Sequence, residues 1–273
     1  MKKYLHPTNL PILVPIAAIL ALALRLWTMG NGADSAGLYA PQPIAWVLLW
    51  IVTGATMALI YHLTRRLKNP GRYGDNFPAS ILGAVGCALG GLGILSSALT
   101  IFPTAKDLLA TLTAVLGLIS AAALIWSAVV RYTGGKPHFC VHAIPCLYFA
   151  LRIFNCCRHW SNVTQTGVFL FQFLASICVM LAAYQLCCFD VNLGNRRSSL
   201  LWSLASVYFC VLALPMGEDI FFYGGMLLWL MLNLCATHPL KANKPQETPE
   251  MTEMTEAADI PEAPETSAEP TQE

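Results

Sequence analysis

Between residues 10 and 235 the chain alternates between long apolar runs and short polar breaks, and this limits its folds more than any motif does. The runs cover residues 10–29, 43–63, 79–102, 108–130, 139–155, 167–189, 199–214 and 220–235. A helix needs about 20 residues to cross a bilayer, with roughly 17–25 as the usual range. Eight such runs predict an all-α integral membrane protein of eight transmembrane helices. The fifth, seventh and eighth lie at or below the short end of the range. Composition agrees: 56% of residues are hydrophobic and 11% charged, where a soluble domain carries about a quarter charged residues. The solvent for most of this chain is therefore expected to be lipid.

The formal net charge of +1 conceals an asymmetry. Nine of the fifteen acids follow Lys244, leaving six acids against sixteen Lys and Arg before that point. With the N-terminus inside, twelve Lys and Arg fall in inner segments, among them Lys2, Lys3, Arg65, Arg66, Lys68, Arg72, Arg196 and Arg197. Only Lys106 and Arg158 fall in outer loops. Positive charge accumulates on the cytoplasmic side of membrane proteins, so both termini are expected in the cytoplasm, with the plasma membrane as the location.

Two short turns share a pattern. Pro103-Thr104-Ala105-Lys106-Asp107-Leu108 and Pro215-Met216-Gly217-Glu218-Asp219-Ile220 both read Pro-x-[Ala/Gly]-[Lys/Glu]-Asp-[Leu/Ile], each between two apolar runs. Two further matches precede them in the same order. Ala23-Leu24-Arg25-Leu26-Trp27 aligns with Ala150-Leu151-Arg152-Ile153-Phe154. The run ending Tyr61-His62-Leu63 aligns with the one ending Tyr184-Gln185-Leu186. Together they predict two parallel four-helix repeats, residues 10–131 and 132–237, after a cytoplasmic segment 1–9. Residues 238–273 form the remainder, and 245–273 are rich in Pro, Glu, Thr and Ala with no basic or aromatic residue. Such a segment cannot bury enough apolar surface to offset chain entropy, and it is expected to be a disordered acidic cytoplasmic tail.

Ionisable residues in or beside the spans are the candidates for chemistry, because an unpaired charge at mid-membrane costs roughly 2.5–3.5 kcal/mol on insertion scales. Arg25, Arg152, Asp107, Glu218 and Asp219 all map to the outer leaflet, and the repeat matches Arg25 to Arg152 and Asp107 to Asp219. They define a candidate substrate site for a small anionic or zwitterionic solute. The competing reading pairs each arginine with the turn aspartate of its own half or lets it snorkel to the headgroups. On the inner side, His138, His142 and Cys146 are spaced i, i+4, i+8 on one helix face, with His62 at a similar depth. These are ligand types for a metal or haem iron. Neither a paired CxxC nor an HExxH accompanies them.

The glycines Gly83, Gly86, Gly90, Gly91 and Gly93 predict close helix approach. Seven tryptophans map mostly to span boundaries, as in an aromatic belt. Most of the ten cysteines lie within apolar runs and read as small hydrophobes. No Walker loop, GxSxG or GxGxxG occurs in a fitting context, so enzymatic activity is not expected. Three functions stay open: a solute binder or transporter, a membrane subunit that docks a protein partner through its tail, and a redox subunit using the inner His/Cys face. The partners expected are the bilayer, a small solute and a membrane or cytoplasmic protein, with no nucleic acid.

Overall fold

In a computed structural model of the protein, residues 10–29, 43–105, 107–160, 169–216 and 219–239 are described. They are helical, with no β-strand among them. The helices are α1 (Leu10–Met29), α2 (Pro43–Thr64), the single turn α3 (Tyr73–Asn76), α4 (Ile81–Ile101), α5 (Leu108–Thr133), α6 (Cys140–Trp160), α7 (Leu170–Asp190), α8 (Arg196–Ala213) and α9 (Ile220–Cys235). Six of these, α1, α2 and α4 to α7, are long and apolar enough to cross a membrane. That is the composition of a helical membrane protein. The other two expected spans are present as helices of lesser length or apolarity. α9 has 16 residues, and α8 opens on Arg196-Arg197-Ser198-Ser199.

From α4 to α9 each helix packs on the next, and α9 returns against α4, so six helices close a ring. The α1–α2 pair packs together and lies against α8. The ring closes through α5 on α6 and α9 on α4, across the expected boundary at 131/132, and the described helices form one compact unit. Two parallel repeats would give α4 and α8 equivalent surroundings. Instead α8 packs on α1, α2, α7 and α9, while the principal neighbours of α4 are α5 and α9. The central position of α8 shows in its burial: Leu204, Val207, Tyr208, Cys210 and Leu212 are all enclosed.

Outer and inner helix faces are both apolar, and size separates them. On α1, Ile12, Ile16 and Ile19 point outward while Val14, Ala18 and Ala21 are buried. In water such isoleucines would be a liability; in lipid they meet a matching solvent. Small residues face inward because helices in a membrane gain by close packing rather than by leaving water. The α4 glycines show this most clearly. A Cβ on Gly90 would lie 2.8 Å from the Trp229 side chain, and one on Gly91 would meet the Ala121 carbonyl at 3.0 Å. Trp229 is therefore a fully buried core residue, which corrects its expected place in an aromatic belt.

The closest approach is backbone against backbone. A Cβ on Gly93 would sit 2.9 Å from Gly225 Cα and 3.0 Å from the Phe221 carbonyl. Neither neighbour can move without shifting α9. Gly93→Ala is expected to cost about 1–3 kcal/mol by overpacking. Gly224→Ala, whose Cβ would meet nothing within 4 Å, is expected to be neutral within about 0.5 kcal/mol. Thermal unfolding of the two variants in detergent checks this, and equal midpoints would contradict the close α4–α9 contact.

One end of the bundle is strapped by loops. Gly194 N–H donates to the Gly71 carbonyl at 3.2 Å, Tyr73 N–H to Asn192 Oδ1 at 3.3 Å, and His238 N–H to the Asn76 carbonyl at 3.0 Å. Arg197 Nε donates to the Leu67 carbonyl at 2.8 Å. Part of the cationic surplus at this end therefore satisfies backbone carbonyls rather than facing headgroups.

Candidate functional site

At the opposite end, the two matched turns share a 3₁₀ element but differ at the aspartate, which is extended at Asp107 (φ −116°) and left-handed at Asp219 (φ 54°). Each is a 3₁₀ turn holding its proline, Phe102–Thr104 and Leu214–Met216, followed by an aspartate at the N-cap position of the next helix. Their partners differ. Asp219 Oδ2 accepts from Arg152 Nη2 at 2.8 Å. Asp107 pairs instead with Arg158, and both of those side chains are about half exposed. Glu218 lies outside the described residues.

Arg152 is 2% exposed. It projects from α6 with its guanidinium 3.9 Å above the Phe222 ring and 6.0 Å from Tyr223. A cation over an aromatic face is favoured by the ring quadrupole, so Phe222 supports the charge alongside Asp219. The Asp219 side chain is one third exposed, so the pair runs from the core to the surface. Arg152 Nε is buried with no hydrogen-bond partner among the described residues. Buried polar atoms are rarely left unpaired; Tyr148 and Ser97, buried nearby, interact with each other.

Arg25 is also buried, but it is built differently. Its Nη1 donates to the Leu212 carbonyl on α8, and its guanidinium lies 4.6 Å above Phe171 on α7. The next residue, Gln172, accepts at its carbonyl from Tyr223 Oη at 3.4 Å. The first turn of α7 thus stands between the surroundings of the two arginines. Arg152 and Asp219 are brought together, whereas Arg25 clamps α1 to α7 and α8, and Asp107 serves a surface pair.

The inner histidines and cysteine are dispersed. His62 Nε2 is 2.7 Å from Arg66 Nη2 on an exposed face. His138 rests against Phe139. Cys146 Sγ points at the Met180 carbonyl at 3.8 Å. Among the described residues, no three His, Cys, Asp or Glu side chains group to hold a metal.

His142 instead joins a buried chain that sequence reasoning missed. Its Nδ1 lies 2.7 Å from Asp190 Oδ2 on α7, and its Nε2 lies 3.4 Å from Ser127 Oγ on α5. Ser127 Oγ reaches Cys87 Sγ on α4 at 3.7 Å, and Asn233 Nδ2 on α9 donates to the same sulfur at 3.5 Å. Asn233 Oδ1 accepts from Arg131 Nη2 at 3.2 Å. Five helices thus contribute to one polar chain inside an apolar protein. The one visible signal was Asp190 itself, one of only six acids before the tail and adjacent to an apolar run.

Compared with known protein families, curated proteins and solved structures, the chain matches none.

Proposed function

We propose that the protein is a membrane-embedded binder or transporter of a small carboxylate-bearing solute, held at Arg152 and Asp219. The observation that carries this reading is the unpartnered Nε of a buried, aromatic-supported arginine, next to a carboxylate open to the surface. A solute carboxylate can take the free Nε–H, and charge-assisted bonds of this kind are among the strongest available. Asp219 then offers a counter-charge for an amine, which makes a zwitterion the best complement. Tyr148 Oη and Ser97 Oγ supply further hydrogen-bonding capacity. Arg25, built into a helix clamp, is outside this site.

In this reading α8 and α9 also cross the bilayer, giving eight passes, and the Lys/Arg-rich end faces the cytoplasm of a plasma-membrane protein. The proline-bearing 3₁₀ element common to the two turns supports an ancestral four-helix duplication whose packing has since diverged.

The test is a thermal-shift screen of purified full-length protein with acetate, succinate, benzoate, glycine and glutamate. A solute at 100 times its dissociation constant stabilises by about 2.7 kcal/mol. The stabilisation is expected in wild type and in Arg25→Lys and is expected to vanish in Arg152→Gln. A shift that survives Arg152→Gln would move the site elsewhere.

A further inference from the structure

We propose that the solute held at Arg152 and Asp219 is an amphiphile, with a carboxylate head bound there and a single medium-length alkyl chain lying in an apolar groove between α4 and α9. This names the substrate class of the solute-binding reading above and rests on it.

The groove has a volume of about 280 Å³ and follows the exposed side of the α4–α9 seam. Its floor is the glycine contact, where Gly93 and Gly225 bring the two backbones together. Its walls are Leu92, Phe221 and Leu228, all exposed large hydrophobics. Gly224 leaves room in it, because a Cβ there would meet nothing within 4 Å. The Ser96 hydroxyl at its edge is turned back onto the Gly93 carbonyl at 2.9 Å, so the lining offers hydrocarbon and little else. Small-molecule sites run upward from about 300 Å³, and the groove stands at the small end of that range. From Ile220 to Leu228 it extends about 12 Å at ~1.5 Å per residue. An extended chain advances about 1.2 Å per bond, so this length matches roughly ten carbons.

Groove and arginine site are built from the same stretches of two helices. On α9, Asp219 is the N-cap, Ile220 and Phe221 line the groove, and Phe222 lies 3.9 Å from the Arg152 guanidinium. On α4, Ser96 lines the groove and the next residue, Ser97, is buried against Tyr148. One end of the groove is therefore a single residue from the carboxylate that pairs with Arg152. Asp219 is also the member of that pair that reaches the surface. A ligand lying over the start of α9 meets the ion pair with its head, while its chain follows the seam between Leu92 and Leu228.

The two ends make different demands. The free Nε–H of the buried Arg152 calls for an anionic oxygen, and the groove calls for hydrocarbon. A short acid leaves the groove to bilayer lipid, and a plain hydrocarbon leaves Arg152 Nε unpaired. An alkyl carboxylate satisfies both.

Equilibrium dialysis of the full-length protein in lipid nanodiscs tests the proposal, with empty nanodiscs subtracted and the free acid measured in the buffer. The probes are radiolabelled acetate, hexanoate, octanoate, decanoate and tetradecanoate at ~pH 7.5, where carboxylates are ionised. In wild type, affinity is expected to rise at least about 2-fold per methylene, as for half-complete burial of each. The rise is expected to level off beyond about ten carbons, where the groove ends. Gly224→Leu fills the groove from a position with open space around it. It is expected to remove the rise and to leave acetate binding as in wild type, which also reports that the variant is folded. Arg152→Gln is expected to weaken binding at least about 10-fold at every length, the effect of losing a charged hydrogen bond. Equal affinity for every acid in wild type, or a chain-length response that survives Gly224→Leu, would overturn the proposal and give the groove to bilayer acyl chains or a second copy of the protein. Arg152-dependent binding of acetate would then leave the solute reading standing, whereas no Arg152-dependent binding at any length would sink both.

Discussion

Asp219→Asn should lower the stability of the protein by about 1–3 kcal/mol, because the enclosed Arg152 loses its carboxylate while the one-third exposed Asp219 side lets solvent offset part of the cost. The substitution is well suited to isolating charge. Asp219 has φ 54°, in the left-handed region, which asparagine tolerates better than most residues. Backbone strain is therefore nearly unchanged, the side-chain shape is kept, and only the carboxylate charge is removed. Arg152 remains enclosed above Phe222, with no other carboxylate bonded to it among the described residues. The expected fall in midpoint is on the order of 5 °C. Asp107→Asn is the matched control in the sister turn. Its pair with Arg158 is half exposed on both sides, and exposed pairs contribute about 0–1 kcal/mol. Parallel thermal unfolding of the two variants decides the matter. Equal losses would mean that the two turns are equivalent and that Arg152 is not specially dependent on Asp219.

The second large effect is expected at the other end. Asp190→Ala strips His142 of its partner in a fully buried position and should also cost about 3–5 kcal/mol. His142→Gln/Asp190→Asn restores a neutral hydrogen-bonded pair of similar volume and should recover most of that loss, since replacing both partners is far milder than orphaning one. A double-mutant cycle measured by unfolding in detergent checks this. Contacting residues couple by about 0.5–3 kcal/mol, and additivity of the single substitutions would show that His142 and Asp190 do not act as a pair.

Much of the helix pattern was legible from apolar runs, because backbone polar groups in lipid must be satisfied within the helix. The glycine seam on α4 was legible for a similar reason: small residues let two membrane helices approach backbone to backbone. What could not be read was which face of each helix turns inward. In water the polar face marks the outside; here Ile12 and Ala18 are equally acceptable to lipid and core, and size separates them only once the neighbours are known. Trp229 was misplaced on that account. The Arg152–Asp219 pair was anticipated as the own-half alternative, since turn and arginine share one membrane depth. The partner of Arg25 is a backbone carbonyl on α8, and a carbonyl leaves no trace in sequence. Asp190 went unnoticed because it follows the last apolar residue of its run, where an acid reads as loop. Only the fold shows that α7 continues through it and turns it toward His142.

The solute site requires Arg152 Nε to be an unpaired donor in the unliganded protein. The direct measurement is NMR of full-length protein labelled with ¹⁵N at arginine Nε, with the Arg152 signal assigned by its loss in Arg152→Lys. At least one of acetate, succinate, benzoate, glycine and glutamate is expected to move the Arg152 Nε–H resonance while leaving Arg25 in place. An Arg152 signal unmoved by every one of them, or a shift confined to other arginines, would contradict the solute site.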